Sequence, residues 1–566
     1  MNDKQKQGGN VWTWVFRGAL FFLPFLGGVH LFDWDEINFA EIAREMLATG
    51  DYLRPQIDFQ AFYQKPPLFI WMQAFFMQFF GVGETAARLP NAVCGILTLY
   101  MLYRMGSKLY NPRFGSLWAG SYLGSVLPFL YFKSGIIDPW FNLFIFLGLT
   151  QVIFFYWKKE GWAAPLHRSP AWYMVTAGVL VGLGILTKGP VAYLLPVLAL
   201  GVYWLYQNLR FYISVPQVLL FTAIAFLVPL IWFGTEAAFN GPAFIAEFTK
   251  YQFRLFSTAD AGHKGFFGYH FFVLLIGCFP ASVFALRSFL RKDAAASKAE
   301  EDEEDEDEEA DYHADFRRWM KILFWVVLIL FTLVGTKIVH YSSLAYFPLT
   351  YLAAYTLHQL LEGKLVFNGL MKGLLWGIGG VYMILLLTLP WLGKNTAWLK
   401  PLFNDPFAQA NLDAQVHWSG LEALPALFLG VLLFLSIRAF QRDLGWMGFR
   451  ILFGGGAIFI FATLIFFVKR VEGYSQRAAI EFFQGKADED CYILTHGYKS
   501  YAHLFYARKQ KPLNAQSHDR QWLLYGNADK PVYVVTKIQK VAELKELPQL
   551  EELYQKNGFV FYRRTK

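Results

Sequence analysis

The segment "FDWDEINFAEIAREMLATGD" sets Asp35 and Glu36 at the start of a helical pattern, just after an apolar run that ends near residue 31. A carboxylate beside a helix N-terminus is favoured in its ionised form. It could therefore take the proton of an acceptor hydroxyl or amine. The plainer reading of Asp33 or Asp35 is an N-cap, worth about 1 kcal/mol; pattern alone leaves both open. Another acid, Asp138, opens an apolar stretch in "KSGIIDPWFNLF". Near Asp35 it would orient an acceptor or hold the base; otherwise it is a wet or capping acid. Six cations, Lys65, Lys133, Lys188, Arg254, Lys264 and Lys337, fall at the ends of apolar runs. Lys and Arg are the usual partners of phosphate, so one buried anion would account for several of them. Snorkelling to an interface would account for any one.

The elements that position these residues are membrane spans. The 566 residues are 55% hydrophobic, 19% aromatic and only 17% charged, below the quarter or so of a soluble chain. Many apolar runs approach 20 residues, enough to cross about 30 Å of hydrocarbon. We read spans near 11–31, 85–106, 114–131, 137–157, 172–187, 189–206, 215–236, 267–289, 319–336, 341–360, 370–392, 418–440 and 448–468. The turns at Lys188 and Lys337 are very short. The first run lacks a small-residue cleavage site and reads as a retained span. Lys and Arg gather in alternate loops, which predicts the N-terminus inside and the C-terminus outside. The six cations above then lie on the outside, against that tendency. The net charge of +8 belongs to the span flanks and not to nucleic-acid binding. Cys94, Cys278 and Cys491 are too far apart to suggest a zinc cluster or a disulfide framework.

In the first outside loop Phe39, Ile42, Met46 and Leu47 share one helical face, with Asn38, Glu41, Arg44 and Glu45 elsewhere. This predicts a helix along the membrane surface, apolar face down. The acidic run Glu300–Glu309 falls in an inside loop and reads as a solvated tether. After about residue 470 the pattern changes. "CYILTH", "PVYVVTK" and "GFVFYRR" read as strands, and 473–485 and 538–556 as helices. The predicted fold class is an α-helical polytopic membrane protein of about thirteen spans with amphipathic surface helices and a small soluble α/β domain. The expected division is 1–470 and 471–566.

The motifs "DEINFAEIAREMLATGDYLRP", "FYQKPPLFIW", "GETAARLPN", "LTKGPVA", "FRLFSTADAGHKGFFGYHFFVLLIGCFP" and "GTKIVHYSSLAYFPL" resemble those of the lipid A aminoarabinose transferases. These are relatives of the protein O-mannosyltransferases among the C-type membrane glycosyltransferases. The resemblance runs over about residues 30 to 350. It implies transfer of a sugar from a polyprenyl-phosphate donor, undecaprenyl-phosphate-like, to lipid A, a glycan or a protein outside the cytoplasm of a bacterial inner membrane. It implies Asp35 as the catalytic acidic residue with Glu36 beside it, and Asp138 as the second acid. Lys65, Lys188 and Tyr341 would lie at the donor phosphate, with Arg254 and Lys264 as further cations there. His263 matches a histidine that can share a metal, but its glutamate partner is replaced by Gln64. Where the family has arginine, this chain has Asn38. Both departures point to another sugar or acceptor. No cofactor beyond that divalent metal is implied. A transporter or flippase of lipid-linked sugars is the competing reading; it calls for midplane charges and symmetry-related halves. A non-catalytic assembly subunit is a third.

Overall fold

The computed structural model describes residues 10–257, 265–290 and 312–565. The acidic run 300–309, His263 and Lys264 lie outside the described residues. Among the described residues, six helices are long and apolar enough to cross a membrane: Asp138–Lys159, Pro170–Thr187, Val215–Asn240, Gly369–Lys394, Leu421–Gln441 and Gly445–Gly473. Other apolar ranges hold helices that are shorter, more polar or broken. Val11–Phe22, Leu68–Phe80 and Val191–Tyr206 are the short apolar ones. Leu68–Phe80 falls in a stretch read as loop; its 13 residues reach about 20 Å as helix.

Helix starts follow local chemistry. Asn111, Ser169 and Asn368 accept hydrogen bonds from first-turn N–H groups, and Pro112 and Pro170 take the first helical position. Breaks follow it too. The expected span 114–131 divides at Gly124–Ser125. There a Cβ on Gly124 would stand 2.3 Å from the Phe453 carbonyl oxygen, so only glycine allows the two backbones to touch. The range 267–289 divides before Pro280. At Lys188 the helix ends, Gly189 takes φ +135° and Pro190 leads into the next helix. This turn needs glycine and leaves the lysine at a helix end.

The helix Asp35–Thr49 corrects the surface-helix expectation. Its residues from Glu36 to Met46 are all buried. Ile37, Ala40, Ala43 and Met46 share one apolar core with Ala479, Phe483, Phe505 and Phe561 of the C-terminal region. The polar side is buried as well because it satisfies itself: Arg44 bonds both oxygens of Glu41 at 2.7 Å, and the Phe59 N–H donates to Glu45 at 2.9 Å. Burial and the neighbouring Glu41 push the Glu45 carboxyl up to about 10.

The C-terminal region carries a four-stranded sheet in the order β3-β4-β6-β5. β1 and β2 are the two-residue strands of a small hairpin, Gln56–Ile57 and Gln60–Ala61. The strands of the larger sheet are β3 Tyr492–His496, β4 Val532–Lys537, β5 Leu550–Lys556 and β6 Phe559–Arg564. β3 and β4 are parallel and the other pairs antiparallel. The expected helix over 538–556 is corrected. It ends at Lys545, and Leu550–Lys556 is an exposed edge strand. Pro548 stops the helix, and Asn557–Gly558, both at positive φ, form the two-residue turn that returns the chain as β6.

Candidate active site

A cavity of about 650 Å³ lies between the helical region and the C-terminal region. Asp35, Glu36, Lys65, Asp138, Lys188, Arg254, His340 and Tyr341 line it, with Lys499 from the C-terminal region. Asp35 is the first residue of its helix. The position before it is Trp34, with no side-chain cap, so neither Asp33 nor Asp35 serves as the N-cap. The Asp35 carboxyl is 34% exposed, open to whatever occupies the cavity.

Its neighbour Glu36 is differently placed. Arg88 bonds both Glu36 oxygens, at 2.7 and 3.0 Å, and the N–H groups of Phe32 and Gly135 donate to them as well. Burial raises this carboxyl, but Arg88 and the two backbone donors outweigh it and hold it below the usual carboxylate range. With its oxygens so occupied, Glu36 fixes the start of the helix instead of moving protons. Arg88 belongs to the "GETAARLPN" motif. Its remaining N–H groups donate to the carbonyls of Leu26, Val29 and His30. The loop before Asp35 is thereby pinned from one side. The C-terminal region pins it from the other: Gln476 donates to the Leu31 carbonyl at 2.6 Å, and the Leu31 N–H donates to Tyr506 at 2.7 Å.

Asp138 opens the helix Asp138–Lys159 and is 3% exposed. Lys188 pairs with its Oδ1 at 2.5 Å, and the Lys188 ammonium stands 5.3 Å from the centre of the Tyr341 ring. Lys65, held before Pro66 and Pro67, and Arg254 both lie against Tyr251, at 5.1 and 5.3 Å from its ring centre. A narrower apolar slot meets the cavity here. Lys65, Asp138, Lys188 and Tyr341 line both spaces, and beyond them the slot is walled by Phe141, Val191, Leu195, Leu330, Phe331 and Leu344.

Of the six cations of the sequence pattern, the five other than Lys264 lie in described residues, and they divide. Lys65, Lys188 and Arg254 line the cavity. Lys133 donates to the carbonyls of Phe22 and Pro24, and Lys337 to those of Phe331, Thr332 and Val334. These two serve helix C-termini. Sequence reasoning passed over two residues. His340 was inside a quoted motif and polar in an apolar chain, which was the available signal. Lys499 carried none; it reaches the cavity through tertiary packing, its ammonium 5.0 Å from the centre of the Trp34 ring.

His263, the metal ligand that the resemblance implies, lies outside the described residues. Among the described residues no three His, Cys, Asp or Glu side chains gather as a metal site, and Gln64 presents a neutral amide at the cavity.

Residues 64–233 match the family model described as dolichyl-phosphate-mannose-protein mannosyltransferase. The chain is 28% identical over 387 residues to the undecaprenyl phosphate-alpha-4-amino-4-deoxy-L-arabinose arabinosyl transferase of Edwardsiella ictaluri, covering 67% of this chain and 66% of that protein. It is 27% identical over 368 residues to the same-named protein of Aeromonas salmonicida, covering 62% and 61%. It therefore spans less than two thirds of the length of either relative. The crystal structure of ArnT from Cupriavidus metallidurans bound to undecaprenyl phosphate superposes with a TM-score of 0.73 at 17% identity, over 98% of this chain and 97% of that one. The apo form of the same protein gives 0.72 at 16% identity, with the same coverage. This chain is a helical membrane protein with the ArnT fold, and its sequence resembles the aminoarabinose transferases and the protein mannosyltransferases.

Proposed function

We propose that the protein is an inverting glycosyltransferase that moves a sugar from a polyprenyl-phosphate donor to an acceptor on the periplasmic face of a bacterial inner membrane. The observation that carries this reading is the junction of the two spaces. A polyprenyl chain fits an apolar slot, and a phosphate fits the point where Lys65, Lys188 and Tyr341 meet the polar cavity. The relatives' names give the same donor class.

The chemistry follows from charge. As the bond from the sugar to phosphate breaks, negative charge grows on the phosphate oxygens, and fixed cations stabilise it. Lys65 and Lys188 are placed for this, with Arg254 on the same wall. Asp35, in the same cavity, takes the proton of the attacking acceptor group. Lys188 is shared between the phosphate position and Asp138, so Asp138 fixes where that ammonium stands. Asn38 and Gln64 stand where the motif resemblance implies charged residues, which supports a sugar or acceptor other than aminoarabinose and lipid A. The acceptor class is a lipid A, glycan or protein group.

The same reading places the N-terminus in the cytoplasm, thirteen spans in the membrane and the region after about residue 470 in the periplasm, where it covers the helix that carries Asp35. Acids and cations converging beside that region support surface chemistry over transport of lipid-linked sugars. Mass spectrometry of lipid A, surface glycans and glycoproteins, with and without the protein, tests the proposal. Loss of one sugar from one of these classes is expected; identical profiles in all three would contradict it.

A further inference from the structure

His340 stands between the two acids of the cavity. Its Nε2 is 3.9 Å from Asp35 Oδ2 and 3.9 Å from Asp138 Oδ2. Its backbone is held in place: the His340 carbonyl accepts from the Tyr131 hydroxyl at 3.0 Å and from the Ser343 hydroxyl at 2.5 Å. Asn142, one turn after Asp138, donates to that Ser343 hydroxyl at 2.7 Å. Asp138 Oδ1 is taken by Lys188, whereas Oδ2 is buried with no hydrogen-bond partner. An orphaned carboxylate oxygen costs free energy unless something visits it. The His340 ring faces it at 3.9 Å.

On the reading that Asp35 is the base, we propose that His340 is a positioning residue that takes over the proton Asp35 receives and carries it on the face shared with Asp138. The acceptor's O–H or N–H proton passes to Asp35 as the acceptor atom bonds to the sugar's anomeric carbon. The bond from that carbon to the phosphate oxygen breaks, and its electron pair stays on the phosphate. Asp35 then gives the proton to His340 Nε2, and the orphaned oxygen of Asp138 stabilises the imidazolium. Asp35 is left ionised for the next acceptor, and the imidazolium loses its proton to water in the cavity. The resting 3.9 Å closes to bonding distance when a substrate fills the cavity, as such contacts commonly tighten on binding.

The charged groups facing the ring are Asp35, Asp138, Lys188 and Lys65, and the Tyr341 ring lies 5.4 Å from it. Burial lowers the ring below the ordinary histidine value. Asp138 raises it, Lys188 lowers it, Asp35 raises it and Lys65 lowers it, and the balance is downward. The ring is therefore neutral and ready to accept near pH 7. Below its own titration it is already protonated and cannot accept.

The test uses purified full-length protein in liposomes with undecaprenyl phosphate carrying mannose or the sugar that the mass spectrometry above identifies, and with the acceptor class it identifies. His340→Ala is expected to lower kcat about 10²-fold while undecaprenyl phosphate binding stays within threefold. Added imidazole is expected to restore kcat at least tenfold. In His340→Gln, which keeps a hydrogen-bonding side chain, the acid limb of the kcat profile is expected to move to lower pH. Turnover within threefold of wild type overturns the assignment. So does loss in a folded variant that imidazole leaves unchanged, or an unmoved acid limb in His340→Gln should His340→Ala fail to fold. A wild type that transfers from neither donor contradicts the glycosyltransferase reading itself. Wild-type transfer with an indifferent variant contradicts the His340 assignment alone.

Discussion

Lys65 is a charge whose place is set before any ligand arrives. Two prolines follow it, its ammonium lies against Tyr251, and it lines both the cavity and the slot. Losing a charge-assisted phosphate contact costs about 1.5 to 3 kcal/mol. Lys65→Ala is therefore expected to lower kcat/KM for the donor about 10- to 150-fold, with the KM for the acceptor little changed. Kinetics with varied donor and acceptor check this. Most of the cavity was legible in the sequence, because charges at the ends of apolar runs are conspicuous. Asp35, Lys65, Asp138, Lys188 and Arg254 meet in one cavity with Tyr341, which the motif resemblance supplied. What spacing could not convey was the division of labour. Lys133 and Lys337 look like Lys65 in the sequence but point to carbonyl groups. Glu36 looks like Asp35 but is locked to Arg88, far along the chain.

The helix Asp35–Thr49 shows how an element can be read correctly and placed wrongly. Its apolar face was visible in the period of Phe39, Ile42 and Met46. Its polar face resembled a solvated one because Glu41, Arg44 and Glu45 satisfy one another when buried. Glu45, with its carboxyl raised to about 10, keeps its proton in the folded protein near neutral pH. An unfolded glutamate loses that proton near pH 4.3. The native state thus binds more protons between those values, and stability falls as pH rises across the window. Glu45→Gln mimics the protonated group without titrating. It is expected to melt above wild type at pH 8, with a gap that widens from pH 6 to pH 9. Thermal unfolding in detergent at several pH values measures it. The strand Leu550–Lys556 was hidden for a different reason. Its exposed edge, "LEELYQK", carries no apolar alternation, so only the Asn557–Gly558 turn marked it.

Across the whole molecule, the C-terminal region and the loop before Asp35 form one unit. Gln476 and Tyr506 hold Leu31, and Glu472 binds both His30 and Arg477. From the other side Arg88 grips Glu36 and three carbonyls. Breaking a buried pair by removing one partner costs about 3 to 5 kcal/mol. Arg88→Ala is expected to lower the melting temperature and to reduce turnover through misplacement of Asp35. Differential scanning fluorimetry in detergent, run beside an activity assay, checks both effects. Composition and run length made the membrane class legible. The covering of the Asp35 helix by the C-terminal region was not, because it rests on contacts between segments hundreds of residues apart. Deleting 300–309, which the proposed topology puts on the cytoplasmic face, is expected to leave product formation at wild-type level at equal expression, as read by mass spectrometry of the product.

The central claim is that Asp35 is the base of a sugar transfer, and Asp35→Asn tests it most directly. Asparagine is close to isosteric with aspartate, and Trp34, not Asp35, occupies the N-cap, so no capping hydrogen bond is lost. The fold should therefore be unaffected. An amide cannot accept the acceptor's proton, and base catalysis contributes about 10² to 10⁴ in rate. The measurement is turnover of a polyprenyl-phosphate sugar by purified Asp35→Asn in liposomes, with binding of undecaprenyl phosphate measured on the same sample. The account predicts unchanged lipid-phosphate binding and a kcat lower by at least 10²-fold. Near-normal turnover would contradict it and move the search for the base to Asp138.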